Sequence, residues 1–152
     1  DVTGDGVYTV SITNASISYD DPDEGLNPQI ALDGDYAVGA EGCVVMCVDI
    51  LGLLKGDKLK GTGDPKTDKE TPGKYNADDL KVELKSIKAD GQEVAFDKAK
   101  IKYGNIEDNN NCYRIEIYND YGDTAKDSPI DKDNLAFEDS LEITFSIEGL
   151  SE

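Results

Sequence analysis

Leu141-Glu142-Ile143-Thr144-Phe145-Ser146-Ile147 places a large apolar side chain at every second position, four of them on one side. A period of two is the pleat of a β-strand that turns one face to a core. The same alternation recurs upstream. Val7-Tyr8-Thr9-Val10-Ser11-Ile12-Thr13 sets Tyr8, Val10 and Ile12 on one side, and Ala15, Ile17 and Tyr19 repeat it briefly. Leu80-Lys81-Val82-Glu83-Leu84-Lys85 alternates again. Cys112 to Tyr118 sets Tyr113, Ile115 and Ile117 against an opposite face of Cys112, Arg114, Glu116 and Tyr118. Glu93 to Phe96, entered through a tight turn at Asp90-Gly91, and Ile101 with Tyr103 predict two shorter strands. Gly42 to Leu51 is apolar on both faces, which places it centrally in a sheet. No segment sustains a helical period, and Asp131 to Ala136 suffices for one short turn. Seven or more short strands separated by Gly, Asp and Asn predict an all-β fold. The expected architecture is a two-sheet antiparallel β-sandwich, jelly-roll or Ig-like, with its apolar faces turned together.

The 152 residues suit one domain with one real core. They carry 15 Lys plus Arg, 33 Asp plus Glu and no His, for a net charge of −18. Hydrophobic content of 38% against 32% charged residues leans toward disorder by composition, and the alternating segments oppose that lean. Such acidity excludes a nucleic-acid partner, which needs a basic surface to displace counterions. It also opposes docking to an anionic membrane, and no apolar run approaches the roughly 20 residues that span a bilayer. Without His the commonest general base and metal ligand is absent. There is no GxSxG elbow, P-loop or HExxH. Glycoside hydrolysis needs only two suitably spaced carboxylates, but among 33 acids no pair stands out. A non-enzyme is expected. The chain opens at Asp1 with no Met or apolar leader, as expected of a mature form or an excised module.

Lys55 to Tyr75 departs from the pattern, with two Pro, four Gly and six Lys against four acids. It reads as a long loop insertion over 55–75, a small basic island in an acidic chain. Cys43 and Cys47 lie four residues apart in one strand, about 13 Å, beyond the roughly 7 Å between Cα atoms that a disulfide tolerates. Three cysteines leave at least one thiol outside any intrachain disulfide. No cofactor is expected. Asp21-Pro22-Asp23-Glu24 and Asp131-Lys132-Asp133-Asn134 offer oxygen ligands for a structural Ca²⁺, although neither matches an EF-hand loop.

Tyrosine dominates the aromatics, with eight Tyr, three Phe and no Trp. Tyr8 and Tyr113 fall on apolar faces and belong to the core. Tyr19, Tyr36, Tyr75, Tyr118 and Tyr121 fall at strand ends or in loops. Sugar rings present apolar C–H faces that stack on aromatic rings while nearby polar groups take the hydroxyls. Tyr118-Asn119-Asp120-Tyr121-Gly122-Asp123 brings two tyrosines beside amide and carboxylate groups, either to hold a sugar or to anchor a loop. Arg114, the only arginine, pairs with Asp49 or Glu116 if the strands are neighbours, or else addresses sugar hydroxyls.

Several blocks together carry a family resemblance: Val2-Thr3-Gly4-Asp5-Gly6-Val7-Tyr8-Thr9-Val10, Val45-Met46-Cys47-Val48-Asp49-Ile50, Ala89-Asp90-Gly91 and Tyr103-Gly104-Asn105-Ile106-Glu107. Arg114-Ile115-Glu116-Ile117-Tyr118-Asn119-Asp120-Tyr121-Gly122-Asp123-Thr124, Pro129-Ile130-Asp131 and Asp139-Ser140-Leu141-Glu142-Ile143-Thr144-Phe145 complete the set. In this order they resemble carbohydrate-binding β-sandwich modules of exported glycan-degrading proteins of ruminococci and related clostridia. The resemblance implies one non-catalytic module over 1–152, monomeric within a larger multimodular protein, secreted or on the cell surface. It implies a plant polysaccharide partner, with starch (α-1,4-glucan) preferred. β-Glucan, hemicellulose, pectin, or a protein partner in a dockerin-linked complex are the alternatives. The expected sugar contacts are Tyr36, Tyr75, Tyr118 and Tyr121 for stacking, with Arg114, Asn119, Lys74 and Asp123 for hydroxyls.

Overall fold

The computed structural model describes residues 2–13, 27–33, 44–51, 80–104 and 112–150. Among these, eight strands form: β1 (Gly6–Ile12), β2 (Asn27–Asp33), β3 (Val45–Leu51), β4 (Lys81–Ala89), β5 (Gln92–Glu93), β6 (Lys102–Gly104), β7 (Cys112–Asn119) and β8 (Leu141–Glu148). They build two antiparallel sheets, ordered β1-β8-β4-β5 and β2-β3-β7-β6. The chain changes sheet after β1, β3, β5 and β7, and its first and last strands lie side by side in one sheet. The two-sheet β-sandwich expected from the alternation is the fold. The expected strand over Ala15 to Tyr19, the Lys55–Tyr75 insertion, Cys43 and the Asp21–Glu24 acids lie outside the described residues.

The core sits between the sheets. Leu141, Ile143, Phe145 and Ile147 of β8 are each fully buried, as the sequence pattern requires. Val82, Leu84, Ile87 and Ala89 extend that face, and Ile30, Met46, Val48, Ile50, Tyr113, Ile115 and Ile117 meet it from the other sheet. Each fully buried aliphatic or aromatic side chain contributes about 1.5–3 kcal/mol of transfer free energy. Tyr8 stacks on Phe145, ring centroids 5.9 Å apart, and its hydroxyl donates to the Gly4 carbonyl at 2.6 Å. β3 is central in its sheet, in accord with its two apolar faces, and Cys47 carries a buried thiol there.

Three departures from simple alternation have physical causes. β2 breaks the sequence signal with Pro28, which an edge strand tolerates because one side of its ladder needs no N–H. β4 runs past Lys85 to Ala89 because the ladder skips that residue: Leu84 pairs with Phe145 and Ser86 with Thr144. The bulge shifts the phase, so Val82 and Leu84 are followed inward by Ile87 and Ala89. β5 ends at Glu93, short of the expected Phe96, and the chain turns toward the other sheet through a 3-10 turn at Lys98–Lys100, where Asp97 Oδ1 accepts the Ala99 N–H at 3.0 Å. From β6, the Tyr103 hydroxyl then accepts the Leu84 N–H at 2.9 Å, tying one sheet to the other.

The turn between β4 and β5 has positive φ at both Asp90 (50°) and Gly91 (77°), the type I′ geometry that matches strand twist. The Asp90 carboxylate accepts the N–H groups of Glu138, Asp139 and Ser140 at 2.8, 2.7 and 3.0 Å. These three bonds, that from Glu138 first, hold its pKa below the ordinary 3.8. A carboxylate with a lowered folded-state pKa stabilises the fold above its unfolded value, and that stabilisation disappears as pH falls through the folded value. Asp90→Asn, which still tolerates the left-handed backbone, therefore lowers the urea midpoint at pH 7, and the gap from wild type closes as pH falls below about 4. Phe145→Ala costs about 3–5 kcal/mol of unfolding free energy in the same titration.

Candidate functional site

β7 turns a polar edge of its alternation away from the core. Opposite β3, the register sets Asp49 against Arg114 and Cys47 against Glu116, while β6 sets Lys102 against Glu116. Asp49 and Arg114 meet as a buried bidentate pair, Oδ1 to Nε at 2.7 Å and Oδ2 to Nη2 at 3.0 Å. The guanidinium fork matches the carboxylate plane, so two strands are locked in one register.

At the far end of β7 the ladder skips Ile117, and Met46 pairs with Tyr118 instead. Strict alternation would put Tyr118 beside Glu116. The bulge carries it to the side of Met46, where its ring is 1% exposed within the core cluster. The Tyr118 hydroxyl reaches out to Asp120 Oδ1 at 2.6 Å, and Lys132 Nζ stands 5.8 Å from the ring centroid.

Beyond the bulge a tightly bonded turn begins. Asn119 Nδ2 donates to Glu116 Oε1 at 3.1 Å, and the Thr124 hydroxyl donates to Glu116 Oε2 at 3.2 Å. Thr124 Oγ1 accepts the Asn119 N–H at 2.8 Å, and Asn119 Oδ1 accepts the Tyr121 N–H at 2.9 Å. The Gly122 N–H returns to the Asn119 carbonyl, a 3-10 turn follows at Asp123–Ala125, and the Asp120 N–H pins the turn to the Val44 carbonyl of the neighbouring segment. Gly122 packs close to this network: a Cβ there would lie 3.4 Å from Glu116 Oε2.

This turn walls an open cleft of about 430 Å³. Glu116 and Asn119, both buried, line it together with Lys102, Tyr103, Tyr121 and Asp123. Burial pushes the Tyr103 phenol above its ordinary pKa. Tyr121 is 85% exposed, one of two large hydrophobic side chains so exposed among the described residues. It is therefore an open aromatic face on a backbone fixed by hydrogen bonds, beside carboxylate, amide and ammonium groups. A second depression of about 410 Å³ follows Ser86, Ile87 and Val94 at the β4–β5 edge, but its ring, Phe96, is packed against the core. No group of three metal-ligating side chains occurs among the described residues.

Of the residues expected to contact sugar, Tyr121, Asn119 and Asp123 come together at this cleft. Tyr118 and Arg114 do not. Tyr118 has no ring face open to a ligand because the bulge turns it inward, and the Arg114 guanidinium is held against Asp49. Tyr36, Tyr75 and Lys74 lie outside the described residues. Glu116, Lys102 and Tyr103 join the cleft unanticipated. Only the β6–β7 register brings Lys102 to Glu116, and no spacing along the chain encodes it.

No protein-family model matches the chain, and no curated protein or solved structure matches it. Its own geometry gives a direct test of the paired rung beside the cleft. Arg114→Met leaves Asp49 buried without its bidentate partner and costs about 3–5 kcal/mol in chemical unfolding. The double replacement Arg114→Met with Asp49→Leu recovers most of that loss, giving a positive coupling in the double-mutant cycle.

Proposed function

We propose that this chain is a non-catalytic polysaccharide-binding module and that the cleft beside Tyr121 is its sugar site. The observation that carries the reading is the Tyr121 ring, 85% exposed yet mounted on a turn whose backbone is tied down at Asn119, Asp120 and Gly122. An exposed aromatic ring on a mobile loop would lose ordering entropy on binding; here that cost is already met by folding. The apolar C–H face of a pyranose stacks on such a ring. Asp123, Lys102 and the remaining amide N–H of Asn119 then offer both acceptors and donors to ring hydroxyls. The cleft volume lies near the lower end of the range for small-ligand sites and fits a short stretch of glycan.

The sequence resemblance supports the same reading and makes starch the first ligand to test, ahead of β-glucan, hemicellulose and pectin. On this proposal the module works outside the cell, as one part of a multimodular protein, and weak binding at one cleft is compensated by avidity across linked modules. Native gels cast with amylopectin, pullulan, xyloglucan or pectin test it. Retardation in one of them is expected, and migration unchanged in all of them overturns the proposal. In the gel that retards the protein, Tyr121→Ala weakens binding roughly tenfold and Tyr121→Phe retains most of it. Because the side chain is so exposed, Tyr121→Ala leaves the unfolding midpoint close to wild type.

A further inference from the structure

Resting on the sugar site just proposed, we infer that the cleft selects uncharged glycan units and rejects units that carry a carboxylate. Two of its lining side chains, Glu116 and Asp123, are carboxylates, and one, Lys102, is an amine. Glu116 lines the cleft, and its two oxygens already accept from Asn119 and Thr124. Those bonds hold a carboxylate in the wall of the cleft, with no arginine fork beside it to receive a second one. The only arginine in the chain is unable to serve: Arg114, two residues from Glu116 along β7, is turned to Asp49 directly across the ladder. Asp123 at the rim makes no ion pair among the described residues, and neither does Lys102, so a single amine is set against two acids in the lining. Bidentate recognition of a carboxylate needs paired planar donors, which this site lacks. The net charge of −18 adds a long-range field of the same sign.

A uronate unit entering the cleft therefore meets like charge at short range, while a neutral sugar meets acceptors for its hydroxyl protons. Carboxylate oxygens suit neutral polyols well, because every hydroxyl can donate to them. Charge, rather than shape, separates the two ligand classes at this site.

The test compares a neutral polysaccharide that retards the protein with its C6-oxidised counterpart. Oxidation converts the hydroxymethyl group of the same backbone to a carboxylate. At low ionic strength the oxidised polymer is expected to bind at least about tenfold more weakly than the neutral one. Raising salt from about 0.01 to 0.5 M shortens the screening length from roughly 30 Å to a few ångströms, so the ratio narrows. Asp123→Asn narrows it at low salt as well, which loss of a hydroxymethyl contact would not produce. Equal or tighter binding of the oxidised polymer, or a ratio unmoved by both salt and Asp123→Asn, overturns the inference while leaving the sugar site standing. Retention of polygalacturonate with no neutral polymer retained overturns it too. Retention of no glycan at all removes the sugar site, and this inference falls with it.

Discussion

Between Cys47 and Met46, β3 advances by one residue while β7 advances from Glu116 to Tyr118. That one extra residue, Ile117, decides what the end of the sheet looks like. Before it, Glu116 stands on the outer face. After it, Tyr118 joins Met46 on the side of the core. A large aromatic side chain buried there anchors the last residues of the strand, and its hydroxyl holds Asp120 at 2.6 Å. The turn that follows is therefore fixed at its root as well as by its own bonds. Without the bulge, Tyr118 would crowd the face occupied by Glu116, and the chain would leave the strand on a different heading.

The polar groups near this end divide into two kinds. Asp49 and Arg114 satisfy each other within the sheet and orient its strands, an arrangement whose value lies in specifying register more than in net stability. Glu116, Asn119 and Thr124 form a chain in which each group has a partner, so a carboxylate 2% exposed is held without a salt bridge among the described residues. The first kind has no room for a ligand. The second borders open space, and the exposed Tyr121 ring stands beside it. Two residues of one strand, Arg114 and Glu116, thus serve structure and surface separately.

The sandwich was legible because its evidence is local. A period of two in β8 and β1, and an apolar run on both faces of β3, fix strand type and layer position without knowledge of any partner. The same alternation sets Arg114 within reach of Asp49 or Glu116, and the register selects Asp49. What alternation hides is a shift of phase. Lys85 and Ile117 look like ordinary strand residues, yet each is skipped by its ladder, so the bare alternation ends β4 at Lys85 and sets Tyr118 on the face opposite to the one it occupies. The cleft was half legible. The turn residues Asn119 to Asp123 pointed to Tyr121, whereas Lys102 and Tyr103 arrive from a three-residue strand through pairing that no sequence spacing records.

β1 and β8 run antiparallel with Gly6 opposite Ile147, and Leu150 N–H donates to Asp5 Oδ1 at 2.7 Å just beyond the ladder. The start of the one strand and the finish of the other are thus neighbours at a single corner. A mechanical load applied through those two points would not shear the sandwich along its strands. It would peel the hydrogen bonds apart from that corner, one after another, so the resistance to force at any instant is that of a bond or two and not of the whole ladder.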